Sequence, residues 1–262
     1  MGLNEIVGKF LDPYDRPARL YPGLIVLTPL AVLLVCLYGT KYIVASSVLS
    51  ILGFSGIAYM LGSAARDAGK KLEDKLFAKW GGKPTTLMLR HSDNRIDGVT
   101  KNRIHQTLSK GIMTAFPSSA EELANPHQAD EIYRAGTVWL ISNTRDTKKF
   151  PLVFKENIAY GFRRNMLGLK RIGVVVALAS VIWTLFHAKV ISIFEPYWSI
   201  DKFIALAPSS ITSLVVSTTI LLAWIFFITE SSLLRVATAY SERLFHSCDN
   251  LKTTRSRTKA AP

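Results

Sequence analysis

Disulfide chemistry has almost nothing to work with in this chain, whose 262 residues include two cysteines, Cys36 and Cys248. Cys36 lies in an uncharged run and Cys248 in a polar tail, so the two cannot meet. A disulfide framework and a thiolate metal site are both excluded. Acidic residues are scarce too, 19 against 32 Lys+Arg, which leaves a net charge of +13. Only 19% of residues are charged while 49% are hydrophobic, and mean hydropathy is +0.23. That balance argues against general disorder and against a single soluble core. Catalytic signatures are missing as well: there is no HExxH, no CxxC, no carboxylate calcium loop, no phosphate loop and no nucleophile–base–orienter set. The expectation is a protein that is not an enzyme, with no cofactor and no metal.

The apolar residues are gathered into four long runs. Residues 20–38 carry no charge and as a helix reach roughly 28 Å, about one hydrocarbon core. Gly39, Thr40 and Lys41 then turn the chain into a second run at 42–65, which makes the pair an antiparallel hairpin. A third run covers 172–188, extended through 190–194 if Lys189 snorkels, and a fourth covers 211–229. Tyr21, Tyr38, Tyr42, Tyr197 and Trp198 fall near run ends, where amphipathic rings prefer to sit. The first run reads as a retained span, because the residues before it are too mixed in charge for a signal n-region and a second run follows at once.

Orientation follows from the basic residues. Residues 1–20 hold 3 Lys+Arg, 66–171 hold 20 and 230–262 hold 6, whereas the opposite side holds only Lys41, Lys189 and Lys202. The positive-inside rule therefore places both termini and the central insert in the cytoplasm. The expected fold class is an all-α integral membrane protein, with four transmembrane helices (two plus two) and a mostly helical cytoplasmic body between the hairpins. Its parts are an interfacial amphipathic helix at 1–19, a hairpin at 20–65 and the cytoplasmic domain at 66–171. A second hairpin at 172–229 encloses a periplasmic loop at 189–210, and 230–262 forms a helix and a basic tail.

Local patterns fill in these segments. Leu3, Ile6, Val7, Phe10 and Leu11 share one helical face, and Pro13 stops that helix. Residues 66–80 prolong the second span until Gly81, Gly82 and Pro84 end it. Residues 85–89 suggest a short strand; 100–110, 129–143 and 152–170 read as helices, the last leading straight into the third span. Ser118 or Ser119 with Glu121 or Glu122 fits a capped start, and Asn125-Pro126 a break. After the fourth span, Leu233, Ala237, Tyr240 and Leu244 form an apolar seam on a continuing helix, followed by a disordered basic tail.

Three sets of residues are candidates for function. His91, Asp93 and Asp97 could hold a metal for hydrolysis, although an Asx-rich turn leading into a helix is the simpler reading. Arg90, Arg95, Lys101 and Arg103 stand far from any span in sequence and are the candidates for an anionic ligand such as a nucleotide or nucleic acid. Arg163, Arg164, Lys170 and Arg171 adjoin the third span and suit the anionic lipids of the inner leaflet. Within the spans no central charge appears, which disfavours ion-coupled transport. Ser46, Ser50 and Gly53 share one face of the second span, and Ser209, Ser213 and Ser217 one face of the fourth. Such stripes serve helix packing or, in an oligomer, a pore lining.

The run TKNRIHQTL, followed by WLISNTRDTKKFPLVFKENIAYGFRRNMLGLK, resembles a family of small bacterial inner-membrane proteins with two helices, a cytoplasmic insert and two further helices. The resemblance covers roughly residues 85–170 and implies a bacterial host and the topology above, without catalytic residues. The two-plus-two layout is also similar to membrane effectors and sensors of bacterial antiviral systems. The expected function is an oligomeric inner-membrane sensor or channel-like effector gated through its cytoplasmic domain. The alternatives are a non-conducting scaffold that recruits a soluble cytoplasmic partner, and a membrane-bound metal-dependent hydrolase. Membrane lipids and further copies of the chain are the expected partners.

Overall fold

The structure, a computed structural model, describes residues 12–39 and 47–258, apart from the side chains at 47–52, 54 and 252–258. The face at 1–11 and residues Lys41, Tyr42 and Ser46 lie outside the described residues. The fold is all-helical. A π-turn over Arg16–Leu20 leads into α1 (Tyr21–Tyr38). Next come α2 (Ser47–Trp80), which ends where Gly81 takes φ +80°, and the short α3 (Pro84–Leu89).

Helices α4 (Gly98–Ile112), α5 (Ser119–Ala124) and α6 (Pro126–Asn143) each begin at a side-chain cap. Asp97 Oδ1 accepts from the Thr100 N–H at 2.8 Å, Ser118 and Glu121 form a capping box, and Asn125 Oδ1 accepts from the Gln128 N–H at 3.2 Å. The chain continues through α7 (Pro151–His187), α8 (Ile200–Ile204), α9 (Pro208–Phe226) and α10 (Glu230–Thr258).

Several expectations need correction. Residues 85–89 are helical: Pro84 opens a helical turn in which the Lys83 carbonyl accepts from the Thr86 and Leu87 N–H groups at 2.8 and 2.9 Å. A lone strand would have left those groups without a ladder. The third apolar helix does not continue through 190–194. Lys189 takes a left-handed φ of +55°, and the chain closes a loop pinned by an antiparallel bridge between Ile191 and Trp198. The C-terminal helix does not continue α9 either, since α9 ends at Phe226 and Thr229 Oγ1 accepts from the Ser232 N–H at 3.2 Å. The tail is helical as far as Thr258.

Among the described residues three helices are long and apolar enough to cross a membrane: Arg16–Tyr38, Pro151–His187 and Pro208–Phe226. The chain is a membrane protein by this measure. The second apolar run at 42–65 is described only from residue 47, as the first part of α2.

The described residues form two compact units. One takes in the residues up to Leu72 with Gly161–Ser232, and the other Glu73–Tyr160 with the residues from Leu233 on. In the first, the membrane unit, α9 packs along α1, and Val26, Ala65, Met166, Leu169, Trp224 and Ile228 are buried together. In the second, the insert unit, α6 packs on α3, α4 and α5. Its core joins Leu89, Ile104, Leu108, Tyr133 and Leu140 to Leu244 and Phe245 of α10. The expected seam is therefore buried, with Leu233, Ala237 and Leu244 at most 3% exposed and Tyr240 packed against this core.

Candidate functional site

The densest polar cluster of the insert unit is built around the segment that joins α3 to α4. Helix α4 presents Lys101, Ile104, His105 and Leu108 on one face, at helical spacings of three, one and three, and all four are buried. A lysine and a histidine thus sit where a core face requires apolar residues, so each must find partners. The Lys101 ammonium donates to the Arg90 carbonyl at 2.7 Å and to the Asp93 carbonyl. Burial lowers the Lys101 pKa and the Asp93 carboxylate opposes that shift. His105 Nε2–H donates to the Leu89 carbonyl at 2.8 Å, and burial pushes its pKa down to about 4, so the ring is neutral at neutral pH.

Around His105 the rings of His91, Phe116 and Tyr133 lie with centroids at 5.2, 4.9 and 5.7 Å. Glu122, on α5, is buried, and its Oε2 accepts from the Tyr133 hydroxyl at 2.6 Å and from the His91 backbone N–H at 2.9 Å. Burial, reinforced by that bond to Glu122, raises the Tyr133 pKa. His91 Nε2–H donates to the Pro117 carbonyl at 2.9 Å. At the edge, Arg90 holds Asp130 through Nε and Nη2 at 2.9 and 2.6 Å, a bidentate pair that raises the guanidinium pKa.

In this geometry each residue proposed for an anionic ligand has a partner within the protein. Arg90 is on Asp130 and Lys101 on two carbonyls. Arg95 is on Asp93 at 2.5 Å, and Arg103 reaches Asp249 of α10 at 3.2 Å with both side chains half exposed. Burial alone would raise the Asp93 pKa, but its bonds from Arg95 bring it below the usual carboxylate value.

The three candidate hydrolase ligands each have a separate task. His91 bonds Pro117, Asp93 bonds Arg95 and closes an Asx turn on the Arg95 N–H, and Asp97 caps α4. Among the described residues no three His, Cys, Asp or Glu side chains gather as a metal site. Chemically the cluster is a clamp that ties the 90–97 segment to α4, α5 and α6.

The candidates of the membrane unit divide in the same way. The Lys170 ammonium caps the end of α9, donating to the Ile225 and Ile228 carbonyls at 3.0 and 2.8 Å. Arg164 Nε donates to Asn165 Oδ1 at 3.3 Å, while Arg163 is half-buried and Arg171 exposed. Ser213 and Ser217 are completely buried, with Ser213 Oγ at 2.9 Å from Thr184 Oγ1, whereas Ser209 is exposed. Of the other stripe Gly53 is exposed, and the Ser50 side chain is outside what is described.

No family model, no curated protein and no solved structure matches this chain. The clamp residues that sequence reasoning missed are Tyr133, Phe116 and the buried role of Glu122. The available signal was the presence of Lys101 and His105 on an otherwise apolar helix face; it reveals a buried polar cluster but not its partners on other helices.

Proposed function

We propose that the chain is a four-span protein of a bacterial inner membrane, with 42–65 as its second span and both termini and the insert unit on the cytoplasmic side. On this reading it is an oligomeric sensor or channel-like effector, in which a signal received by the insert is passed to the membrane helices. The observation that supports it is α7. This helix of 37 residues is about 55 Å long, well beyond one hydrocarbon core, and its sole proline is at the first position. Its start supplies Val153 to the insert core, and its later turns supply Met166 and Leu169 to the membrane core. No catalytic step is part of the proposal.

The test is reconstitution of the full chain in proteoliposomes, with the subunit count measured in detergent. An oligomer that conducts ions, and stops conducting when Ala159→Pro interrupts α7, supports the effector. A monomer, or an oligomer silent with nucleotides and nucleic-acid fragments, counts against it. A second reading, a non-conducting scaffold for a soluble cytoplasmic partner, is favoured by one observation: Ser213 and Ser217 are consumed in packing within a single chain. A stripe buried in this way has no free face with which to line a pore.

A further inference from the structure

The residues just before α1 adopt a π-turn, Arg16–Leu20, a geometry that recurs at functional sites because it shifts side chains off the ordinary helical path. Two contacts fix it. The buried Asn165 donates from Nδ2 to the Ala18 carbonyl at 2.7 Å. On α2, Gly62 lies so close that a β-carbon there would fall 2.7 Å from the Arg19 carbonyl oxygen, which only glycine permits. Arg19 is thereby set beside the face of α2 that carries Tyr59, Ser63 and Arg66, four and three residues apart.

Between them is a cavity of about 60 Å³, large enough to admit a phosphate group. Its charges do not balance. Asp15 takes Nη1 of Arg19 at 2.7 Å, but Arg19 Nε is buried without a hydrogen-bond partner among the described residues. Arg66 is exposed and has no carboxylate partner among the described residues. Two guanidinium groups face one carboxylate, at the polar end of a helix apolar enough to span a membrane.

We propose that this cavity binds a phosphate group, with Arg19 and Arg66 as the charged forks and Ser63 and Tyr59 as neutral donors. Planar guanidinium groups match phosphate oxygens in a way that ammonium groups do not. The phosphate can belong to an anionic lipid headgroup or to a soluble phosphate compound, since both present the same oxygens.

The experiment uses the full chain in detergent, with melting temperature followed against added phosphatidylglycerol and, separately, inorganic phosphate. A ligand that binds only the folded state raises the melting temperature in a saturable way. Either probe acting on the unaltered protein supports the site: phosphatidylglycerol alone identifies a lipid, and inorganic phosphate as well identifies a soluble source. Arg66→Gln, which removes no hydrogen bond or ion pair among the described residues, should weaken that effect roughly tenfold or more. Arg19→Gln should do the same, and because it can also disturb the π-turn, Arg66→Gln decides if that variant fails to fold. Lys110→Gln, an equal loss of charge at an exposed position of the insert unit, should change nothing. No saturable shift with either probe, or equal weakening in Lys110→Gln, overturns the proposal.

Discussion

The two units bury polar groups by different means. In the insert unit, charged and aromatic side chains are held in matched sets: Lys101 with two carbonyls and Glu122 with Tyr133 and the His91 N–H inside, and Arg90 with Asp130 at the edge. In the membrane unit the polar residues that are buried whole are small hydroxyls and one amide. Ser180, Thr184 and Ser213 bond locally or to one another, and Asn165 holds the π-turn. Among the described residues orphans occur in both: Arg19 Nε, Ser217 Oγ and Trp224 Nε1 in the membrane unit and Thr86 Oγ1 in the insert. The contrast teaches where sensitivity should lie. A charged or strongly polar group sealed in a core is costly when its partner goes, whereas a hydroxyl between apolar helices has little to lose.

The comparison breaks hardest at Glu122. Glu122→Ala leaves the Tyr133 hydroxyl and the His91 N–H buried without an acceptor, and about 3 kcal/mol of stability should be lost. Hydrogen exchange in α5 and α6 should accelerate, and Glu122→Gln, which keeps one acceptor oxygen, should lose less. An Ala variant as protected as the original would show that the clamp is not needed.

Acid should find the same unit. Burial holds the folded-state pKa of His105 near 4, below the free value of 6.5, so the unfolded chain takes up the proton first. Its contribution, about 3 kcal/mol, is fully present above pH 6.5 and is lost as the pH falls toward 4. Melting temperature followed across that window should fall in the unaltered protein and fall less in His105→Gln. Parallel curves would remove His105 as the cause.

The membrane unit should respond to volume. A β-carbon at Gly173 would meet the Trp224 ring at 2.2 Å, and the ring is 1% exposed, with little room to move. Gly173→Ala should cost about 1–3 kcal/mol in detergent through overpacking of α7 on α9. Removing hydroxyls should matter least. Ser213→Ala gives up the Thr184 bond and should cost about 0.6 kcal/mol. Ser217→Ala removes a hydroxyl that has no partner among the described residues and should cost less still. Equal losses in the two serine variants would show that packing of the methylene alone governs this face.

Much of the fold could be read along the chain because its cause is local. Uncharged stretches of spanning length mark α1 and α9, and Asp97, Ser118, Asn125, Gly81 and Pro84 punctuate helices by what their own backbones and side chains do. Where one local signal competed with another, reading failed: 85–89 looked like a strand until Pro84 opened a helix, and Lys189 looked able to snorkel where it turns the chain instead.

By itself, then, the sequence determined that this is a helical membrane protein with a basic insert, because burial of apolar length and the placement of charge are properties of contiguous residues. Tertiary structure alone decided what the polar residues do. Arg90 meets Asp130 forty positions away, Arg103 meets Asp249 after 146, and α10 enters the core of a unit from which it is separated by two apolar helices. Nothing local distinguishes an arginine that will face a ligand from one that will face a distant aspartate. Charge attraction has no sequence period, and only the packing of helices selects the partner.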